Sequence, residues 1–193
     1  MRFLRPVLLL SLAFLVVGCT ARQPLPETPK RAALIESVLD KSSMVTTVAD
    51  SDRGRKTDAQ MREEARNAAD RLKAKARTDL PEDYWSTYEE GSYQFSLDVN
   101  SIEQRSLEAY KARYRQGLVT ASDEELEQLV RSESMEGTPT FKKLFNGGDT
   151  RLTLFYFQQD NRFSAQALDD YLKRLDALDK RYGVCVARER CWK

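Results

Sequence analysis

Behind Ser164, the residues Leu168, Tyr171, Leu172, Leu175 and Leu178 recur at helical spacing, with polar residues between them and Gly183 beyond. A chain patterned this way folds by laying apolar helical stripes against one another, and upstream segments repeat the device. Leu107, Tyr110, Tyr114 and Leu118 lie three and four residues apart behind Ser101 and Gln104. That pair has the residue types and spacing of a capping box and predicts a helix starting at Ile102 and ending near Gly117. Ser122 with Glu125 repeats the box ahead of Leu126, Leu129 and Val130. Thr138-Pro139 sets an N-cap residue before proline at the first helical position. The short helix it opens runs through Phe141, Leu144 and Phe145 and is stopped by Gly147-Gly148.

Nearer the N-terminus, Leu34, Ile35, Val38 and Leu39 predict a helix from Arg31. The β-branched residues of SSMVTTV (42–48) weaken the pattern that follows, and the polar, glycine-containing segment 50–58 reads as a break. Residues 58–78 carry a narrow stripe of Met61, Ala65, Ala68, Leu72 and Ala76. This predicts a solvated helix packed by one edge. A coiled coil is the alternative, but the seam falls short of three heptads. Tyr84, Trp85 and Tyr88 share helical spacing after Pro81. Beyond Gly91, Tyr93, Phe95, Leu97 and Val99 alternate with polar residues, the period of a half-buried strand. LTLFYF (152–157) is an apolar run of strand length, with helical burial as its alternative. The expected fold is mainly α, to which residues 92–99 and 151–158 would add a small two-stranded sheet.

The first nineteen residues obey a different logic. Arg2 and Arg5 precede an apolar run from Val7 to Val17, closed by Gly18 and Cys19, and these are the parts of a secretory signal. The run is shorter than the roughly 20 apolar residues of a spanning helix. Val16-Val17-Gly18-Cys19 resembles the lipobox of bacterial lipoproteins, with valine where leucine is usual. The resemblance covers the signal alone. It implies a cut before Cys19, three acyl chains (palmitate among them) on that cysteine, and attachment to the lipid bilayer through it. It also implies that Thr20, which is not aspartate, directs the protein to the outer membrane. The organisation expected is a signal over 1–18, a lipidated cysteine with a proline-rich tether over 19–30, and a helical periplasmic domain over 31–193. Extended, residues 20–30 would reach roughly 34 Å.

In an oxidising compartment the two remaining cysteines, Cys185 and Cys191, read as a disulfide worth about 2–3 kcal/mol. Free thiols or a metal site are the alternatives, though two thiols supply too few ligands. The chain has no histidine, which removes the commonest general base and the usual imidazole metal ligands. No spacing marks a catalytic set, a metal site or a cofactor loop, so no enzyme is expected. Losing Arg2 and Arg5 from the 31 basic side chains leaves 29 against 30 acidic, and so balanced a chain has no global field for nucleic acid.

Two places could meet a partner. From Lys180 onward the chain holds five basic side chains against Glu189, with Arg188, Arg190 and Trp192 inside or beside the cysteine-closed loop. Such a tip suits an acidic protein surface, a lipid phosphate or a glycan, or it simply complements the negative end of the last helix. Tyr84 and Trp85 could form a recognition platform or belong to the core. These features predict a lipid-anchored, non-enzymatic accessory subunit of an envelope or secretion assembly with an envelope protein as partner. The alternatives are a peptidoglycan- or glycan-binding module using Tyr84, Trp85 and Trp192, and a carboxylate-only hydrolase.

Overall fold

A computed structural model describes residues 22–51, 55–76, 79–146 and 148–184, the side chains of 49–51 excepted. Cys19, Cys185, Arg188, Arg190, Cys191 and Trp192 lie outside the described residues. The helices are α1 (Pro29–Asp40), α2 (Ser43–Ser51), α3 (Asp58–Lys75), α4 (Glu82–Asn100), α5 (Ile102–Leu118), α6 (Asp123–Arg131), α7 (Pro139–Leu144) and α8 (Asp149–Arg181), with a 3-10 turn at Met135–Gly137. The mainly helical fold is as expected; the two-stranded sheet is not there, and no strand occurs among the described residues.

The frame is one long antiparallel pair. α8 has 33 residues, which makes it about 50 Å long. Opposite it, α4 runs into α5 with only Ser101 between them, and Ser101 itself keeps right-handed helical angles (φ −91°, ψ −11°). The α4–α5 run meets α8 along most of its length, with the start of α4 near the end of α8 and α5 near its beginning. Tyr84 donates to Asp179, Ser92 bonds Tyr171, Asp98 pairs with Arg174, Ser106 donates to Asp160, and Tyr110 packs edge-on to Tyr156.

At one end α1, α2, α6 and α7 close around α5 and the first turns of α8. Tyr110, Tyr114, Phe141, Ile35, Leu39, Leu118, Leu126, Leu129 and Met135 are all at most 1% exposed there. Burial pushes the Tyr110 phenol up to about 12, although its hydroxyl still bonds Ser42 at 2.9 Å. At the other end α3 lies on α4 through Met61, Ala65 and Tyr93, and Tyr84, Trp85, Leu178 and Val184 form a second core. α3 therefore is a solvated helix packed by one edge, with Ala69 buried where the sequence stripe pointed to Ala68.

The error over residues 92–99 has a simple cause. α4 lies between α3 and α8 and needs apolar residues on two sides. Tyr93 and Leu97, four apart, face α3, while Phe95 stacks on Tyr171 of α8 at 4.6 Å. Two helical stripes interleaved in one segment mimic alternation. Residues 151–158 belong to α8, where Leu152 and Tyr156 are buried at i, i+4 spacing and Leu154 and Phe157 face out. With neither segment extended, no strand partner exists for the other.

Local signals met mixed fates. Ser122 and Glu125 form the expected capping box, and Thr138 Oγ1 accepts from the Phe141 N–H at 3.1 Å. Ser101 makes no such cap. Its hydroxyl donates back to the Asp98 carbonyl at 2.8 Å, because the helix has not ended there. Ser164 likewise lies inside α8 rather than at its start. α2 forms despite its β-branched residues, since burying Val45 and Val48 outweighs a helix-propensity deficit of about 0.5 kcal/mol per residue.

The proline-rich segment is not a free tether. Arg22 forks onto Glu125 with two hydrogen bonds of 3.0 Å, the Leu25 N–H donates to the Val119 carbonyl at 2.9 Å, and Thr28 caps α1. Prolines stiffen these residues, and a stiff segment loses little entropy on docking. Behind it, buried Arg31 fastens α1 to the end of α5. Its guanidinium donates to the carbonyls of Leu118, Val119 and Ala121 and pairs with Asp123 at 3.0 Å.

Candidate interaction surfaces

Tyr84 and Trp85 belong to the core. They are 4% and 5% exposed, sit edge-to-face 4.9 Å apart, and the Tyr84 hydroxyl donates to Asp179 at 2.8 Å. This corrects their reading as partner contacts, since a ring enclosed on its faces and edges cannot stack on a sugar or a partner. Aromatic density along the sequence does not distinguish a platform from a core corner; three-helix packing of α3, α4 and α8 makes it the latter.

Two surface features were not singled out in the sequence. The first is a groove of about 860 Å³ between α5, α7 and α8, closed at one side by Arg22. Arg22, Arg113, Lys143 and Arg151 line it, and among the described residues no carboxylate does. Its apolar part is Leu144, Phe145, Leu152, Leu154 and Phe155. The close approach of Phe145 to α5 explains Gly117, where a Cβ would lie 2.3 Å from the ring. Phe145 is held by Tyr114 and Phe141, each with centroids 4.7 Å away, so any side chain at 117 would displace the ring toward the groove.

Glu125 sits behind this groove and organises its near side. It accepts from both Arg22 nitrogens, from the Ser122 N–H at 2.9 Å, and from Lys143 at 3.4 Å. The Arg22 hydrogen bonds above all hold its carboxyl well below the ordinary 4.5, at about 2, against the opposing effect of burial. A depressed carboxyl pKa stabilises the charged, docked state above its ordinary value. Docking of residues 22–28 should therefore be at full strength above pH 4.5 and lost as pH falls toward 2. Hydrogen exchange at the Leu25 amide, which bonds Val119, would report it. Protection unchanged at pH 2 would mean that the segment is held by other contacts.

The second feature is the outward face of α8. Leu154, Phe157, Leu168 and Leu172 are between 49% and 55% exposed. With Asn161 and Ala165 they form one stripe that spans about 27 Å of helix. Charges of both signs flank it: Arg151, Arg162, Asp169, Lys173 and Asp176. A further cavity of about 490 Å³ is lined by Glu64 and Glu103 with Arg55 and Lys56, and Lys56 pairs with Glu64 at 2.6 Å. Among the described residues no helix is long and apolar enough to cross a membrane, and no cluster of three metal-ligating side chains occurs. No family model, no curated protein and no solved structure matches this chain.

Proposed function

We propose that this protein is a lipid-anchored lipoprotein of the cell envelope, a non-enzymatic accessory subunit whose periplasmic body is held close against the outer membrane. The observation that carries the reading is the signal ending Val16-Val17-Gly18-Cys19, and the docked N-terminal segment bears on how the body would be held. Arg22 is fixed to Glu125 only three residues after the lipobox cysteine, so the acylated end lies within about 10 Å of the body. A long flexible tether would let the body roam; this attachment sets both its height and its orientation.

The surface for a protein partner is the outward stripe of α8. It is long, straight and narrow, with half-exposed Leu and Phe side chains at helical intervals and flanks of mixed sign. Its occupant is an amphipathic helix of an envelope protein lying alongside α8, because only a helix matches five turns of stripe at that width. The test is crosslinking in living cells with a C-terminally tagged chain, with and without Leu168→Glu and Leu172→Glu. Both side chains are half exposed, so the double variant should stay within about 1 kcal/mol of the parent's stability. It should lose the captured envelope protein. Undiminished capture by a folded double variant would exclude this face, and capture of cell-wall fragments instead would favour a glycan-binding role.

A further inference from the structure

We propose that the cationic groove between α5, α7 and α8 binds the phosphate headgroup of an anionic phospholipid in the bilayer that holds the acylated Cys19. The position of that bilayer rests on the lipoprotein reading; the chemistry of the groove does not.

Four cations line the groove, and among the described residues Glu125 is the one carboxylate that bonds any of them, pairing with Arg22 and Lys143. Arg113 donates to the Gln116 amide at 3.0 Å, and neither it nor Arg151 has a carboxylate partner among the described residues. Elsewhere cations and carboxylates alternate over the surface, as in Lys30–Glu127, Lys73–Glu82, Lys173–Asp169 and Lys180–Asp176, whereas the groove has four cations and no carboxylate among its described lining residues. A chain whose charges nearly balance thus places four cations in one concavity, two of them guanidinium groups with no carboxylate partner among the described residues. Guanidinium groups bind phosphate through paired N–H donors, better than they bind a diffuse field.

The lining beyond the cations selects among anions. Phe145, Phe155 and Leu154 give the groove an apolar wall, and Leu154 leads onto the exposed stripe of α8. Inorganic phosphate or a polyanion gains nothing from such a wall, whereas the glycerol and first methylenes of a phospholipid do. Placement favours the same ligand. Arg22 both lines the groove and lies within about 10 Å of Cys19, and a headgroup layer is roughly 5–8 Å deep. An anchor this short brings the groove to the lipid phosphates.

The test uses the mature chain from residue 19 with Cys19→Ser, which removes the acyl anchor and leaves every described residue unchanged. It is sedimented with phosphatidylcholine vesicles, and with vesicles in which roughly 30 mol % is phosphatidylglycerol. The chain should bind the second and not the first. Arg113→Gln with Arg151→Gln should weaken binding about thirtyfold, the effect expected of two basic side chains at an anionic surface. Lys173→Gln with Lys180→Gln removes the same charge from the far half of α8 and should change binding less than about threefold. All four side chains are exposed, and thermal unfolding of each variant checks its fold.

No preference for phosphatidylglycerol, or equal losses in both double variants, would overturn the groove as the site. Release from the vesicles by inorganic phosphate or by polyglutamate would overturn the lipid as its ligand, assigning the groove to a free anion or an acidic peptide. The intact mass of the native chain reports separately on Cys19. A chain without acyl groups would remove the anchor while the vesicle result still decided the groove.

Discussion

Alanine in place of Cys19 should abolish processing of the chain and its recovery with the outer membrane. One acyl chain gives only marginal, reversible membrane attachment, with a partition constant of about 10⁴ M⁻¹, and each buried methylene contributes about 0.8 kcal/mol. Three chains on one residue make attachment effectively permanent, so losing all of them is an all-or-none change rather than a graded one. Among the described residues no helix is apolar and long enough to span a bilayer in place of the acyl chains. The apolar run of residues 7–17 would stay on the uncut precursor and retain it where it was inserted. Membrane fractionation and intact mass read both effects. A variant still cut after Gly18 and still found in the outer membrane would overturn the lipobox reading, and with it the proposed placement of the body.

Methionine in place of Arg31 should destabilise the fold by about 3 kcal/mol, measured by urea unfolding. The guanidinium is 3% exposed and serves four acceptors at once: the carbonyls of Leu118, Val119 and Ala121, and the Asp123 carboxylate. The first three lie at and just after the end of α5, where helix carbonyls lack intrahelical donors. Methionine replaces the stem but takes the guanidinium from the Ala121 carbonyl and the Asp123 carboxylate, while the Leu118 and Val119 carbonyls keep the N–H groups of Ala121 and Leu25. Asp123 is 40% exposed and can return to water, which keeps the loss at the lower end of the range for breaking a buried pair. Arg31→Lys keeps the charge without the planar fork and should recover only part of the stability. A loss below about 1 kcal/mol for the methionine variant would mean that water serves the carbonyls in its place. The position also bears on the proposed function, because α1 follows directly on the docked segment 22–28.

How much of this was legible in advance depends on the range of each interaction. Caps and single stripes are local. Ser122 with Glu125, Thr138 with Pro139, and the face of Leu107, Tyr110, Tyr114 and Leu118 carry their partners within one helix turn or one helix face, and the structure realises each of them. The apparent strand at 92–99 misled because α4 packs against two neighbours. A segment with two buried sides has no single period, and which sides are buried is not a local property. Ser101 has the residue type of a cap, but α8 lies along both α4 and α5 and keeps the helical run going through it.

The sequence by itself determined that this chain is mainly helical and that its total charge nearly cancels. Tertiary structure decided the rest. It folded the proline-rich segment onto Glu125, turned Tyr84 and Trp85 inward, and left the Leu and Phe stripe of α8 outside. It also gathered Arg22, Arg113, Lys143 and Arg151 from distant parts of the chain into one groove. Composition reports only the sum of charges, in which these four are cancelled by carboxylates elsewhere. An electrostatic site depends on separations of a few ångströms, and folding alone sets those.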